Sequence, residues 1–148
     1  AALTMKIYTI GFTQKSAEKF FDRLRRHGIK RLIDIRIHPN GQLSGFAKQE
    51  DLPYFLKELA NGCGYAYIPD LAPTKDILKE YRDDGDWERY VTRFESLMDE
   101  RDIPNALNPD DFNESCLLCS EVTPEQCHRR LVAERFAKHW QDVEIIHL

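Results

Sequence analysis

The sequence predicts an α/β fold, in which an open, mostly parallel five-stranded sheet carries helices on both faces in a Rossmann-like three-layer arrangement. Short runs rich in β-branched and aromatic residues alternate with longer segments whose apolar residues recur at helical spacing. Such alternation of strands and helices is typical of a parallel sheet. The chain has no internal repeat, low-complexity tract or linker, so we expect a single domain over residues 5–148.

Five segments have the composition of strands. The first, KIYTI, is closed by Gly11, and the fourth, CLLCS, is a compact apolar run typical of a strand that is buried on both faces. The predicted strands cover 6–10, 31–36, 65–68, 116–120 and 143–148.

Apolar periodicity predicts the helices between these strands. The strongest pattern lies at 87–100, where the apolar stripe could serve either the core or a homodimer. For the last helix we expect Thr123 as N-cap, Pro124 in the first helical position and Gln126 completing a capping box. The predicted helices cover 13–28, 49–60, part of 71–86, 87–100 and 124–140.

Composition excludes several classes of function. The net charge is −4, which provides no global basic field for nucleic acid or anionic lipid. No apolar run approaches the roughly 20 residues of a membrane span, and no secretory pattern is visible, so we expect no membrane partner and a cytoplasmic location. The four cysteines are then expected to be reduced thiols. Residues 1–4 precede Met5 and are expected to be an added remnant or a disordered N-terminus.

The loops that follow the predicted strands carry most of the chemically versatile residues. In open parallel sheets, ligands bind outside the carboxyl ends of the strands, where the strand order reverses. That edge is expected to be lined by the loops 11–13, 34–46, 69–74 and 119–128. The sequence therefore predicts a site at this edge.

The segment LLCSEVTPEQCHRRL, at 117–131, leaves two interpretations open. Cys119 and Glu121 share a face if the strand extends that far, and Cys127 and His128 follow in the first turns of the helix. A thiol near a helix N-terminus and a cation has a lowered pKa. This predicts a reactive thiol at Cys119 or Cys127, with His128 or Glu121 carrying protons.

The alternative is a packed junction between strand and helix. Both cysteines would then be small buried hydrophobes, and Glu121 would pair with Arg129 or Arg36. Around the helix, Arg129 faces the sheet edge, whereas Arg130 is expected to face solvent.

A structural zinc site is a third interpretation of this segment. Cys116 and Cys119 form a C-x2-C pair that Cys127 and His128 could complete. The pair lies in a predicted strand, where its side chains diverge, and adjacent Cys-His ligands at a helix start have poor geometry. We therefore expect no metal and no cofactor.

Other residues at the predicted edge point to an anion. Arg36 and Arg129 would hold it, Asp34 would orient an arginine, and the turn at Gly11 before a helix could cradle a phosphate. Phe46, at the end of the second loop, is expected to contact the ligand.

Taken together, these residues resemble the family called domain of unknown function 488. The matching pieces are IYTIGFT, DIR followed by Pro39, GFAK, LAPTKDILKEY and LLCSEVTPEQCHRRLVAE. The family pattern Cys-x-Glu, then Cys-His-Arg, falls on Cys119, Glu121, Cys127, His128 and Arg129. Two features depart from it: Phe12 and Thr13 stand where members often have His-Ser, and 105–115 is long. The resemblance implies an α/β fold and no established function.

The first hypothesis is an enzyme or ligand-binding domain for a small anionic or nucleotide-like molecule. A second is a nucleic-acid-associated or regulatory module that uses the basic segment 23–31 and the arginines between Arg129 and Arg135. The acidic net charge and the lack of an aromatic stacking pattern make it the less favoured of the two. A structural zinc site is the third.

Overall fold

The computed structural model describes residues 4–121 and 124–148, and it confirms the predicted α/β fold. The strands are β1 (Met5–Gly11), β2 (Arg31–Asp34), β3 (Gly64–Tyr67), β4 (Ser115–Cys119) and β5 (Val143–His147). They form one parallel sheet with the strand order β3-β2-β4-β1-β5. Residues 1–3, within the expected N-terminal remnant, lie outside the described residues.

Each predicted helix is present. The helices are α1 (Ala17–Arg26), α2 (Leu52–Leu59), α3 (Lys75–Asp84), α4 (Trp87–Glu100) and α5 (His128–His139). Side chains of Ser16 and Thr74 accept hydrogen bonds from the first-turn amides of α1 and α3, which stabilises these starts. Among the described residues, no helix has the length and apolar character needed to cross a membrane.

Two hydrophobic cores lie on opposite faces of the sheet. Helices α1 and α2 cover one face, and α3, α4 and α5 cover the other. Successive side chains of a strand point to opposite faces. Accordingly, β4 contributes Cys116 and Leu118 to the first core and Leu117 and Cys119 to the second.

The apolar stripe of α4 packs inside the chain. Tyr90, Phe94 and Met98 are buried against the sheet, where Phe94 and Met98 are fully inaccessible to solvent. The sequence did not decide whether this stripe packs into the core or into a homodimer. In the structure it packs into the core of the chain.

The strand order creates a topological switch beside β4. This strand lies between β1 and β2, whose following helices α1 and α2 cover one face of the sheet. The helix that follows β4, α5, covers the opposite face. Connections that diverge in this way open a crevice at the carboxyl end of the strands, which is where ligands bind in such sheets.

The last helix begins later than the sequence predicts. Instead of starting near residue 124, α5 begins at His128. The expected N-cap, Thr123, lies outside the described residues. The side chain of Gln126 accepts a hydrogen bond from the Tyr81 hydroxyl at 2.8 Å rather than closing a capping box. The side chain that the local pattern assigned to helix capping is therefore hydrogen-bonded to a residue that is distant in the sequence.

A matched pair of leucines on α2 tests the core assignment. Leu56 is fully buried, whereas Leu59 is 46% exposed. We expect Leu56→Ala to lower the free energy of unfolding by about 2–5 kcal/mol, because it leaves a cavity. Leu59→Ala should change it by less than about 1 kcal/mol. Urea denaturation of both variants checks this, and equal losses would contradict the packing described.

Candidate functional site

A cavity of about 740 Å³ opens at the switch point beside β4, a volume suited to a small organic ligand. The loops after β1, β2 and β4 form its walls together with α3 and the start of α5. The sequence-predicted site residues that line it are Arg36, Cys119, Glu121, Cys127 and His128.

Asp34 and Arg36 form a buried ion pair at the end of β2. The Asp34 carboxylate accepts hydrogen bonds from the Nε and Nη2 of Arg36, at 2.8 and 2.7 Å. It also accepts from the backbone N–H of Arg36 and from the Tyr65 hydroxyl, at 3.1 and 2.6 Å. Burial, followed by this hydrogen bond to Asp34, raises the pKa of Tyr65, so its hydroxyl remains a donor. The guanidinium is held in one orientation.

One nitrogen of this guanidinium is left over. The Nη1 of Arg36 is buried and has no hydrogen-bond partner among the described residues. The cation also lies over the ring of Phe12, 5.3 Å from its centroid. Both side chains line the cavity. A positive charge therefore lies buried beside a mostly apolar cavity.

His128 is neutral and holds a defined tautomer. Its Nε2 lies 2.6 Å from the backbone oxygen of Ile35, which can only accept, so Nε2 carries the proton. Burial, with the nearby Arg129 charge as a smaller contribution, lowers the pKa of His128 to about 4. The second ring nitrogen, Nδ1, therefore bears a lone pair at neutral pH, available to accept a proton or coordinate a cation.

The structure pairs Cys119 with Cys127 as a disulfide, across a Cα–Cα separation of 7.7 Å, so these two are not the reduced thiols that the sequence predicted. Both residues are almost fully buried from solvent and line the cavity. The Nη1 of Arg129 donates a hydrogen bond to the sulfur of Cys119 at 3.3 Å. A cationic donor stabilises negative charge on the sulfur that accepts from it.

The chain is tightly packed where β1 and β4 end. Strand β4 stops at Cys119, so the expected shared face with Glu121 does not form, and the side chain of Glu121 is exposed. The backbone oxygen of Glu121 accepts from Arg129 Nη1 at 2.6 Å. A Cβ atom on Gly11 would overlap this same oxygen. Glycine is required here because the loop after β4 crosses directly over β1.

Four sequence-predicted residues support the cavity without lining it. Gly11 and Asp34 lie beneath it, at the ends of their strands. Arg129 is buried under the loop after β4. Phe46 packs behind Phe12, with ring centroids 6.4 Å apart, and contacts the rings of α1.

The structure differs from the sequence prediction at Arg130 and at the adjacent pair Cys127 and His128. Arg130, expected in solvent, is half-buried and lies over the ring of Trp87, because α4 packs alongside. Cys116 diverges from Cys119 as expected, into the core on the other face. However, the adjacent pair Cys127 and His128, expected to have poor geometry, lies with Cys119 so that one ligand atom from each falls within 4.8 Å of the others.

Tyr65 and most of the cavity wall contributed by α3 are not predicted by the sequence. Tyr81 and Arg82 of α3 line the cavity, as does Tyr90 of α4. The helical spacing of these residues indicated that they lie in the core or on the surface, and did not indicate that they line a cavity. The one available signal was the resemblance of 71–81 to the family, a stretch that ends on Tyr81.

The fold and cavity define an α/β protein with a ligand-sized site at the switch point of a parallel sheet. The chain matches the family model described as Domain of unknown function DUF488 over residues 16–136 and belongs to this family. No curated protein and no solved structure matches the chain. The family description names no reaction, so the function has to be argued from the site.

A pair of glycines tests the crossing at β1. Gly11→Ala should lower the free energy of unfolding by about 1–3 kcal/mol, because the added methyl displaces the Glu121 carbonyl. Gly64→Ala, whose Cβ would lie 3.6 Å from its nearest neighbour, should leave stability unchanged or raise it slightly. Thermal denaturation compares the two variants. A Gly11→Ala protein as stable as Gly64→Ala would contradict the described contact.

Thiol reactivity distinguishes the cavity from the opposite core. Burial raises the pKa of Cys63 to about 11 and also raises the pKa of Cys116 well above its usual range. In the reduced native protein we expect iodoacetamide to modify Cys119 and Cys127 first, since they line the cavity. Alkylation of Cys63 should rise about tenfold per pH unit up to its pKa, because only the thiolate reacts. Mass-resolved peptide mapping measures this, and modification of Cys116 before Cys119 would contradict it.

Proposed function

We propose that this protein binds a small anionic molecule of nucleotide-like size and shape in the cavity beside β4. The observation that carries the proposal is the Nη1 of Arg36, a buried charged donor with no partner among the described residues. A buried donor left unsatisfied costs about 1–3 kcal/mol, and more when it is charged. An oxygen of a phosphate or carboxylate removes this cost.

The rest of the ion pair supports an anionic rather than a neutral ligand. Asp34 already accepts two hydrogen bonds from the guanidinium, so the fork is rigid before a ligand arrives. Because the arginine is preorganised, little side-chain entropy is lost on binding. The ligand meets a donor that carries positive charge at low dielectric, where charged hydrogen bonds are strongest.

The walls of the cavity favour a ligand with a ring as well as an anion. Phe12, Tyr81 and Tyr90 contribute aromatic surface, and Thr13 and Ser120 add hydroxyl groups. Pockets that combine apolar walls with a few polar groups are typical of small-molecule sites. A nucleobase or a comparable planar group fits this surface.

The same cavity contains groups suited to chemistry. The sulfur atoms of Cys119 and Cys127 and the neutral ring of His128 lie together on its wall. When the disulfide between the two cysteines is reduced, a thiol lies beside an imidazole lone pair, the arrangement used for nucleophilic catalysis. An enzyme is therefore included in the proposal, with the reacting atoms of the ligand placed near these residues.

The alternative, a nucleic-acid module, draws little support from the basic segment 23–31. Arg25 and Arg26 both pair with Asp22, at 2.5 and 2.8 Å. Lys30 and Arg31 pair with acidic residues that precede β4. These contacts reduce the positive potential that phosphate backbones require.

Calorimetric titration with inorganic phosphate and with AMP tests the proposal. We expect Arg36→Gln to weaken binding by about 10- to 100-fold, because a charged hydrogen bond contributes about 1.5–3 kcal/mol. Arg25→Gln, which removes an exposed arginine of α1, should bind like the wild type. No binding of either probe to the wild type, or equal binding by Arg36→Gln, would contradict the proposal.

Two further variants separate charge from folding. Arg36→Gln leaves the Asp34 carboxylate buried without its cation, which is destabilising. The double variant Asp34→Asn with Arg36→Gln removes both charges and keeps hydrogen-bonding groups, so it should fold and still lose binding. Asp34→Asn alone keeps the guanidinium and should bind the anion at least as tightly as the wild type. Phosphate binding by the double variant as tight as that of the wild type would show that Arg36 is not the anion contact.

A further inference from the structure

Three residues with metal-binding atoms converge on the wall of the cavity. The sulfur atoms of Cys119 and Cys127 and a ring nitrogen of His128 lie within 4.8 Å of one another. Ligand atoms around a tetrahedral zinc ion lie roughly 3–4 Å apart, given metal–sulfur and metal–nitrogen distances of about 2.3 and 2.0 Å. The cluster therefore needs only small side-chain adjustments to surround an ion.

We propose that Cys119, Cys127 and His128 bind one zinc ion, with a fourth coordination position open to the cavity. Two thiolates and an imidazole form a soft ligand set that favours zinc over magnesium or calcium. Three protein ligands with an open position are typical of catalytic rather than structural zinc sites.

The hydrogen bond of His128 supports this assignment independently of the sulfur atoms. Its Nε2 donates to the backbone oxygen of Ile35 at 2.6 Å. Metal-binding histidines almost always donate their second nitrogen to a carbonyl or carboxylate, which orients the ring and leaves the other nitrogen free to coordinate. The contact with Ile35 already selects the tautomer with the lone pair on Nδ1.

Once the disulfide between Cys119 and Cys127 is reduced, the backbone geometry suits a metal ion between the two thiolates. The Cα atoms of Cys119 and Cys127 lie 7.7 Å apart, beyond the range of about 4.4–6.8 Å usual for disulfides. An ion between two thiolates spans a longer separation without moving β4 or α5. The hydrogen bond from Arg129 to the Cys119 sulfur then stabilises the thiolate from outside the ligand set.

The open position relates the metal to the ligand of the cavity. All three proposed ligands line the same cavity as Arg36. An anion held by Arg36 can therefore supply an oxygen atom to the zinc, a step that rests on the proposed function. Zinc binding itself does not depend on it.

Cobalt titration of the reduced, metal-free full chain tests the site directly. Co²⁺ replaces zinc and absorbs light through thiolate-to-cobalt charge transfer, so its spectrum reports sulfur ligands without any activity assay. We expect one equivalent to bind, to give this absorption, and to be displaced by zinc. Cys119→Ser and Cys127→Ser should each weaken binding by more than about 100-fold, since losing even a partner outside the ligand set costs about 10- to 100-fold.

Matched controls come from the two thiols on the opposite face. Cys63→Ser and Cys116→Ser should keep the full cobalt spectrum, because both residues lie in the core under α1 and α2. His128→Asn should retain charge-transfer absorption but bind more weakly. Urea denaturation of each variant shows whether it folds. Absence of the charge-transfer absorption in the wild type, or its persistence in folded Cys119→Ser and Cys127→Ser, would overturn the proposal.

The two proposals fail separately. The Asp34→Asn with Arg36→Gln variant should lose phosphate binding and keep the cobalt spectrum. In the wild type, phosphate should shift the visible cobalt bands by occupying the open position. A cobalt spectrum that forms but ignores phosphate would leave the zinc site standing and exclude the contact between anion and metal. Phosphate binding without a cobalt spectrum would exclude the zinc site alone.

Discussion

Burial of the Asp34 carboxylate imposes the arrangement of the cavity. An ionised group in the protein interior is costly unless paired and hydrogen-bonded, and Asp34 meets this requirement with Arg36 and Tyr65. The pairing draws Arg36 back along the end of β2 and over the ring of Phe12. Because two guanidinium nitrogens are used in this way, the third is left buried without a hydrogen-bond partner among the described residues.

The loop after β4 supplies the second constraint. It crosses above Gly11, and Arg129 ties it down through the Glu121 carbonyl and the Cys119 sulfur. With the loop held there, α5 starts at His128, directly beside the end of β2. One strand end therefore supplies a sulfur atom and the following helix supplies a second sulfur and an imidazole. The proposed anion contact and the proposed zinc ligands therefore come from neighbouring strands of one sheet.

Prediction from sequence succeeded for the elements, and a cavity lies at the sheet edge where the sequence predicts a site. Apolar periodicity located the strands and helices, and the loops that it placed after the strands contain Arg36, Cys119 and His128, which line the cavity. The prediction failed at the start of α5, where the Gln126 side chain accepts a hydrogen bond from Tyr81 instead of capping the helix. It also failed at Arg130, which lies over the ring of Trp87 and not in solvent. Both failures have the same cause: the side chain contacts a residue of a neighbouring helix, and such a contact cannot be read from the local sequence pattern.

The sequence by itself determined the fold class, since the alternation of strand and helix periods admits few other arrangements. It also determined that Cys116 and Cys119 face opposite sides of the sheet, because side chains alternate along a strand. Only the tertiary structure decided that Cys127 and His128 lie beside Cys119, and that one nitrogen of Arg36 has no partner in the part of the chain that the structure describes. These relations depend on strand order and on contacts between residues as distant as His128 and Ile35, 93 positions apart. The free energy of such contacts depends on burial and geometry, which local spacing does not specify.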